Sequence, residues 1–137
     1  MHELRTLIMQ DLSEGLNALK NFLTDIQTHE LILDLQGELS ILEAQVRSQL
    51  ISDQFYGYQK EYLRFSTLQL LTEFESRMLR NHTPHPRQLE LEIEIVEMYE
   101  QMAQLAWDQA PDSALQPLEK TQKRLLLIYE GVLASNQ

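Results

Sequence analysis

The sequence predicts an all-α protein: a helical bundle of about six helices built on a central antiparallel helical hairpin. The first reason is composition, because glycine and proline number only 4 each among 137 residues, which favours continuous helix. The second reason is spacing, because apolar residues recur at steps of three and four in most segments and so fall on one side of a helix.

The central hairpin is predicted between residues 28 and 75. Thr28 and Ser52 are the expected N-caps of its two helices, because their hydroxyl oxygens accept hydrogen bonds from the first open amides of a helix. The link at Ser52 is short and holds no Gly or Pro pair, so a tight return is expected. The expected inward residues are Ile32, Leu35, Leu39, Leu42, Val46 and Leu50 in the first helix and Phe55, Tyr58, Tyr62, Phe65, Leu68 and Leu71 in the second.

Two short helices are predicted before the hairpin, at about residues 2–10 and 13–24, the second with Ser13 as its N-cap. Gly15 in the first turn of the second helix is expected to be tolerated, because early positions contribute least to the hydrogen-bond ladder. Gly37 and Gly57 lie inside the hairpin helices, where a glycine marks either the close approach of a neighbour or a neutral surface position. The expected inward residues are Leu4, Leu7, Ile8, Leu16, Leu19, Phe22 and Leu23.

Two more helices are predicted in the C-terminal part, the last from about residue 114 to 134 with Ser113 as its N-cap. Residues 89–95 alternate apolar and polar as a strand does. Helix is nevertheless predicted, because a lone strand would leave its backbone groups unpaired and Glu and Leu are strong helix formers. The expected inward residues of the last helix are Leu118, Leu125, Leu126, Ile128, Tyr129 and Leu133.

A domain boundary is predicted before Pro84 and Pro86, because proline disfavours helix at the residue that precedes it. Residues 1–80 are then one helical domain, and residues 81–137 are a C-terminal helical hairpin that packs on it to make one compact unit.

Composition excludes several classes of function. The chain has no cysteine, which removes disulfides, thiolate metal sites and cysteine nucleophiles. A net charge of −10 disfavours nucleic acid and anionic membranes as partners, because both bind clustered Lys and Arg. No apolar run has the length of a membrane span, and the N-terminus lacks the pattern of a secretory signal. A cytoplasmic protein without a membrane partner is expected.

Candidate chemical residues are few. His82 and His85 flank a turn, but a metal site needs three or four ligands and the adjoining turn supplies no carboxylate, so exposed imidazoles are the favoured interpretation. No nucleophile elbow or phosphate-binding loop is present. A series of glutamates offers paired carboxylates, although a solvated acidic face is favoured over a catalytic pair. The series is Glu90, Glu92, Glu94, Glu97 and Glu100. We therefore predict no catalytic residue, no metal site, no cofactor and no enzyme.

Charge is segregated in the C-terminal half. Residues 88–112 hold acids and no Lys or Arg, residues 76–87 hold three arginines and no acid, and Lys120, Lys123 and Arg124 form a second basic cluster. Segregated charge suits contact between copies, while neutralisation between the last two helices is the simpler account. Tyr56 points away from the other aromatic residues and is either an interface anchor or a side chain lying along its own surface. The candidate interface residues are Tyr56, Arg77, Arg80, Arg87, Glu90, Glu94 and Glu97.

The stretch that holds the central hairpin resembles a known family. It has an ELI-led helix with an ELSILEAQVR body, a short LISD link and an aromatic helix ending in LQLLTEFE. These segments are similar to the eleventh type of the bacterial effector-associated domains, and residues 3–23 fit the two short helices that open that family. The resemblance covers about residues 3–75 and carries no catalytic signature.

The resemblance implies a cytoplasmic adaptor that couples an effector to a sensor or regulator in a bacterial defence or signalling system. The expected partner is a like domain on an effector or on an ATPase sensor, with homo-oligomers as a further expectation. The alternative is an acidic helical regulatory or inhibitor protein that does not assemble with its own kind. A small enzyme using the glutamate-rich helix is the least favoured hypothesis.

Overall fold

Six helices account for most of the chain in the computed structural model, which describes residues 2–23, 25–78 and 84–135. They are α1 (His2–Gln10), α2 (Leu12–Phe22), α3 (Ile26–Arg47), α4 (Asp53–Met78), α5 (Pro86–Trp107) and α6 (Asp112–Ser135). The described residues contain no strand. The all-α class, the helical bundle and the helical interpretation of residues 89–95 are therefore confirmed.

The helices form two compact units, Met1–Leu50 with α1 to α3 and Ile51–Gln137 with α4 to α6. The division falls between α3 and α4, whereas the sequence suggested a boundary at residue 80. The difference arises because α4 packs extensively on α5, and α5 packs on α6, so α4 belongs with the C-terminal helices. The predicted hairpin of α3 with α4 joins residues of different units and stays a prediction.

In the first unit, α1 packs on α2 and α2 packs on α3. Two residues predicted to face inward, Phe22 and Leu50, are instead 50% and 74% exposed. Phe22 is the last residue of α2, and the buried Leu23 turns into the core after it. Leu50 lies beyond the end of α3, where helical spacing no longer applies. The buried apolar residues of this unit are Ile8, Leu12, Leu16, Leu19, Leu23, Ile32, Leu39 and Leu42.

Close approach of two helices occurs at Gly15 in α2. A Cβ atom placed on Gly15 would lie 2.7 Å from the Cα atom of Ile8 in α1, so only a glycine lets the two backbones come this close. Gly37 and Gly57 have no heavy atom within 4 Å of such a Cβ. The close-approach interpretation therefore belongs to Gly15, and the other two are surface glycines.

In the second unit, α4 and α5 run antiparallel. Phe55 early in α4 meets Trp107 at the end of α5, with ring centroids 5.1 Å apart. Phe65 in the middle of α4 meets Tyr99, with ring centroids 5.9 Å apart. Residue numbers that rise in one helix thus fall in the other. The end of α4 consequently lies beside the start of α5.

The last helix, α6, runs antiparallel to α5. The amide Nε2 of Gln122 donates to the carbonyl oxygen of Ile95 at 3.0 Å. Seven residues later in α6 the hydroxyl of Tyr129 donates to Glu92, which lies three residues earlier in α5 than Ile95. Gln122 is buried although the apolar spacing did not select it, while Ile128, which was expected inside, is exposed. The amide of Gln122 bonds to backbone, so this polar side chain is tolerated inside the unit.

Helix starts use carboxylates more often than the hydroxyls that were predicted. The Ser52 cap is confirmed, since its Oγ atom accepts from the third amide of α4 at 3.1 Å. Asp25, not Thr28, caps α3, because its carboxylate accepts from both the backbone amide and the hydroxyl of Thr28. Asp11 likewise replaces Ser13 as the cap of α2. The carboxylate in each case precedes the predicted hydroxyl and starts the helix earlier.

Candidate functional site

The exposed side of α5 is an acidic stripe, which we define as Glu90, Glu94 and Glu97. All three are exposed, and steps of four and three place them on one side of the helix. Arg87 continues the stripe toward the start of α5 and is exposed as well. Asp108, just after the helix, continues it at the other end. The predicted solvated acidic face is therefore present on these residues.

Arg77 near the end of α4 and Arg87 at the start of α5 define the arginine end of the second unit. A hydrogen bond of 3.4 Å from Gln88 Nε2 to Thr72 Oγ1 holds these parts of α4 and α5 together. Both arginines are exposed, and Arg77 Nε donates to the carbonyl oxygen of Glu73 at 3.4 Å. The third predicted arginine, Arg80, lies outside the described residues.

The basic cluster of α6, Lys120, Lys123 and Arg124, is exposed and lies partway along the helix. In the part of the chain that the structure describes, no ion pair joins this cluster to the acidic stripe. The neutralisation between α5 and α6 that was the simpler account of the charge pattern is therefore not made by direct ion pairs between these described residues, and it stays an alternative. Both charged surfaces face solvent.

Tyr56 lies far from the other predicted interface residues. It is in the first turn of α4, close in sequence to the Phe55 that meets the end of α5, so it is at the opposite end of the unit from Arg77. Tyr56 is half-buried, and Lys60 Nζ lies 3.0 Å from its hydroxyl and 5.3 Å from its ring centroid. Among the described candidates, the structure thus brings Arg77 near Arg87 and the start of the acidic stripe, and it leaves Tyr56 apart from them.

Sequence reasoning missed an aromatic end on the second unit, which we define as Trp107 and Phe55 with the neighbouring Asp53, Asp108 and Asp112. Trp107 is 58% exposed although its ring contacts that of half-buried Phe55 in a tilted arrangement, with centroids 5.1 Å apart. The three aspartates are exposed. The available signal was that the only tryptophan of the chain precedes the break between α5 and α6.

A second exposed apolar surface lies on α3 in the first unit. Ile26, Leu33 and Ile41 are exposed, and their spacing places them on one side of the helix, with Gly37 between the last two. The opposite side of α3 supplies the buried Ile32 and other core residues. These exposed apolar residues are spaced about two turns apart along the helix.

The glutamate series is divided by burial. Glu90, Glu94, Glu97 and Glu100 are exposed, whereas Glu92 is fully buried. Its Oε2 atom accepts a 2.5 Å hydrogen bond from the hydroxyl of buried Tyr129 in α6. The burial of Glu92 could have been predicted from the spacing, because Glu92 lies three residues before the buried Ile95 and therefore on the same side of the helix. A buried carboxylate tied to another helix is a packing element of the second unit.

Two tyrosines of the second unit have raised pKa values. Burial raises the pKa of Tyr58 to about 12, and the carboxylate of Glu119, which accepts a 2.5 Å hydrogen bond from its hydroxyl, adds to the effect. Burial also raises the pKa of Tyr99 to about 12, with a further contribution from the negative charge of Glu61. Both phenols therefore stay neutral to a higher pH than an exposed tyrosine does.

The described residues bring together no group of three or more His, Asp or Glu side chains that could hold a metal ion. His85 is engaged locally, since its Nδ1 atom accepts from the backbone amide of Arg87 at 3.1 Å. His82 lies outside the described residues. Among residues 2–23, 25–78 and 84–135, no helix is both long and apolar enough to cross a bilayer.

These features define a helical protein whose surface carries separated acidic, basic and aromatic regions. No family model, no curated protein and no solved structure matches the chain.

Proposed function

We propose that the chain is a non-catalytic interaction adaptor that works by contact with another copy of its own kind of domain. It couples an effector to a sensor or regulator in a bacterial defence or signalling system. The partner is a like domain on an effector or on an ATPase sensor, as the resemblance over residues 3–75 implies. Neither a cofactor nor a reaction is part of this proposal.

Contact between copies is supported by the charge pattern of the second unit, in which acidic and basic residues lie on separate exposed surfaces. The acidic stripe and the two basic regions are exposed, and the described residues form no ion pair between the acidic stripe and the basic cluster of α6. Complementary surfaces of this kind steer association and fix the register of two partners. Their charge is therefore available to a second copy.

Sedimentation velocity of the full chain, over a concentration series at low and high salt, tests the proposal. We expect self-association that weakens as salt is raised, because salt screens charges over about 8–10 Å. Reversal of the arginine end, R77E with R87E, should weaken association at low salt. Its melting temperature should move little, because exposed charges contribute under about 1 kcal/mol each.

A matched control carries the same change of net charge in the first unit, K20E with R47E. Arg47 resembles Arg77 closely, since each lies in the last turn of its helix and donates through Nε to a carbonyl oxygen four residues earlier. The control should associate as the wild type does. A wild-type chain that stays monomeric at every concentration, and whose immobilised form retains no second copy, would refute the proposal.

A second candidate function is an acidic regulatory or inhibitor protein that acts as a monomer. The acidic stripe favours it, because no Lys or Arg lies between residues 88 and 119 and the stripe can face a basic partner. This candidate predicts that self-association is absent at every ionic strength. The same sedimentation series therefore decides between the two.

A further inference from the structure

We propose that copies associate head to tail, with the arginine end of one copy docking on the aromatic end of the next. This inference rests on the proposed contact between copies and names the two surfaces that make it. The surfaces are Arg77 with Arg87 on one copy and Trp107 with its neighbouring aspartates on the other.

The aromatic end has the features of a docking site for a large side chain. The indole of Trp107 leaves 58% of its residue surface open to solvent, while one side rests on Phe55 at 5.1 Å. A ring supported in this way is already ordered, so a partner loses little side-chain freedom by binding it. Tryptophan and arginine are also the residue types most enriched among those that dominate binding energy.

Charge at the aromatic end selects a basic partner. Asp53 begins α4, Asp108 follows α5 and Asp112 begins α6, and all three are exposed. No Lys or Arg occurs between residues 48 and 59 or between residues 88 and 119. An arginine guanidinium fits such a surface, because it stacks on an aromatic face and forms paired hydrogen bonds with a carboxylate.

The arginine end supplies matching groups on every copy. Arg77 and Arg87 are exposed, and residues 76–87 contain no acid. The basic cluster of α6 is a poorer match, because two of its three members are lysines, which lack the planar fork that stacks on indole. The complementary partner for the aromatic end is therefore present in the chain itself.

One unit cannot bring its own two ends together. α4 has 26 residues and thus spans about 39 Å at 1.5 Å per residue. Phe55 lies at the beginning of α4, where the antiparallel α5 places Trp107 beside it. Arg77 lies at the end of α4, near Arg87 at the start of α5. The contact must therefore be made with the second unit of another copy, and it joins two different surfaces.

The test uses two full-length variants, each defective at one end. The first is R77E with R87E, and the second is W107A with D108K. Lysine at position 108 follows the C-terminus of α5, where a positive charge is favourable, so the second variant should fold normally. Circular dichroism checks the fold of each. A matched control in α6 is L127A with E130K, which changes an exposed apolar residue and an exposed acid elsewhere in the same unit.

Each end-defective variant alone should associate at least about tenfold more weakly than wild type, because truncated interface anchors cost this much or more. An equimolar mixture of the two variants should form a one-to-one complex, because one retains the aromatic end and the other retains the arginine end. The α6 control should behave as the wild type does. Sedimentation velocity of each protein alone and of the mixture measures the association in all of these cases.

Three results would overturn the inference. The first is that both end-defective variants associate as well as the wild type does. Contact between copies would then stand, but it would be made by another surface, such as the apolar side of α3. Two defective variants whose mixture forms no complex would also exclude docking of unlike ends. A wild type that never associates would remove the proposed function together with this inference.

Discussion

Replacing Tyr129 by phenylalanine should weaken the second unit by about 1–3 kcal/mol, the cost of leaving a buried polar group without its hydrogen-bond partner. The lost hydroxyl donates to Glu92 at 2.5 Å, a length typical of a bond from O–H to a carboxylate. Glu92 is fully buried and Tyr129 is 3% exposed, so water does not replace the hydroxyl. The phenylalanine ring keeps the contact with Phe65, whose centroid is 5.7 Å away.

Tyr58 provides a matched control with the same chemistry at a wetter position. Its hydroxyl donates to Glu119 at 2.5 Å, again between helices, but both residues are only half-buried. Water can solvate the Glu119 carboxylate once the hydroxyl is gone. Y58F should therefore cost about 0.5–1 kcal/mol, the usual net contribution of a hydrogen bond that exchanges with water.

Urea unfolding followed by tryptophan fluorescence measures both substitutions. Trp107 is the only tryptophan and lies in the unit Ile51–Gln137 that contains both tyrosines, so its signal reports the relevant transition. Repeating Y129F in an E92Q background isolates the contribution of the carboxylate by a double-mutant cycle. A loss in Y129F no larger than that in Y58F would refute the argument from burial.

Three further predictions follow from the backbone and the titratable groups. G15A should destabilise the first unit by about 1–3 kcal/mol, because the added Cβ would lie 2.7 Å from a backbone atom of α1, whereas G37A on an open helix face should stabilise by about 0.5–1 kcal/mol in thermal melts. Q49G should raise stability by about 1 kcal/mol in urea titrations, because Gln49 has a φ of 59° at the end of α3, where glycine has no steric cost. In an alkaline titration at 295 nm, Tyr58 and Tyr99 should ionise late. Their folded-state pKa of about 12 exceeds the ordinary tyrosine pKa of 10.0, so the stability they add is complete below pH 10 and is lost as pH rises toward 12. Y58F or Y99F should each remove one late-ionising group.

The helices themselves could be predicted because they depend on local spacing. Steps of three and four identified the buried Leu39, Leu42, Phe65 and Leu68 correctly. The same spacing does not predict which helix an apolar stripe packs against, since one apolar stripe can pack against any other. The sequence therefore placed a boundary at the prolines near residue 84, whereas the packing of α4 on α5 places it at Leu50.

Errors in the predicted core occur where helices end. Leu50 continues the apolar spacing of α3 perfectly, yet α3 stops at Arg47 and Gln49 adopts a left-handed conformation. The amide of Leu50 then bonds back to the carbonyl oxygen of Gln45 at 2.9 Å, which turns the chain out of the helix. A glutamine, unlike a glycine, in the left-handed position after a helix gives almost no local signal, so the apolar spacing predicted a helix that continues beyond its real end.

The glutamates of α5 show directly that composition does not predict which charged residues are buried. Counting acids treated Glu92 and Glu94 alike, yet one is fully buried against Tyr129 and the other lies on the acidic stripe. The two differ by 200° around α5, and what decides their roles is that α6 covers one side of the helix and leaves the other open. Whether α6 covers a glutamate also decides what a change of its charge affects. Reversal of Glu94 should leave folding unchanged, whereas any change at Glu92 acts first on folding, because removing a buried partner leaves a polar group that water cannot reach. Two glutamates on one helix, two positions apart, therefore differ in what they contribute to the fold.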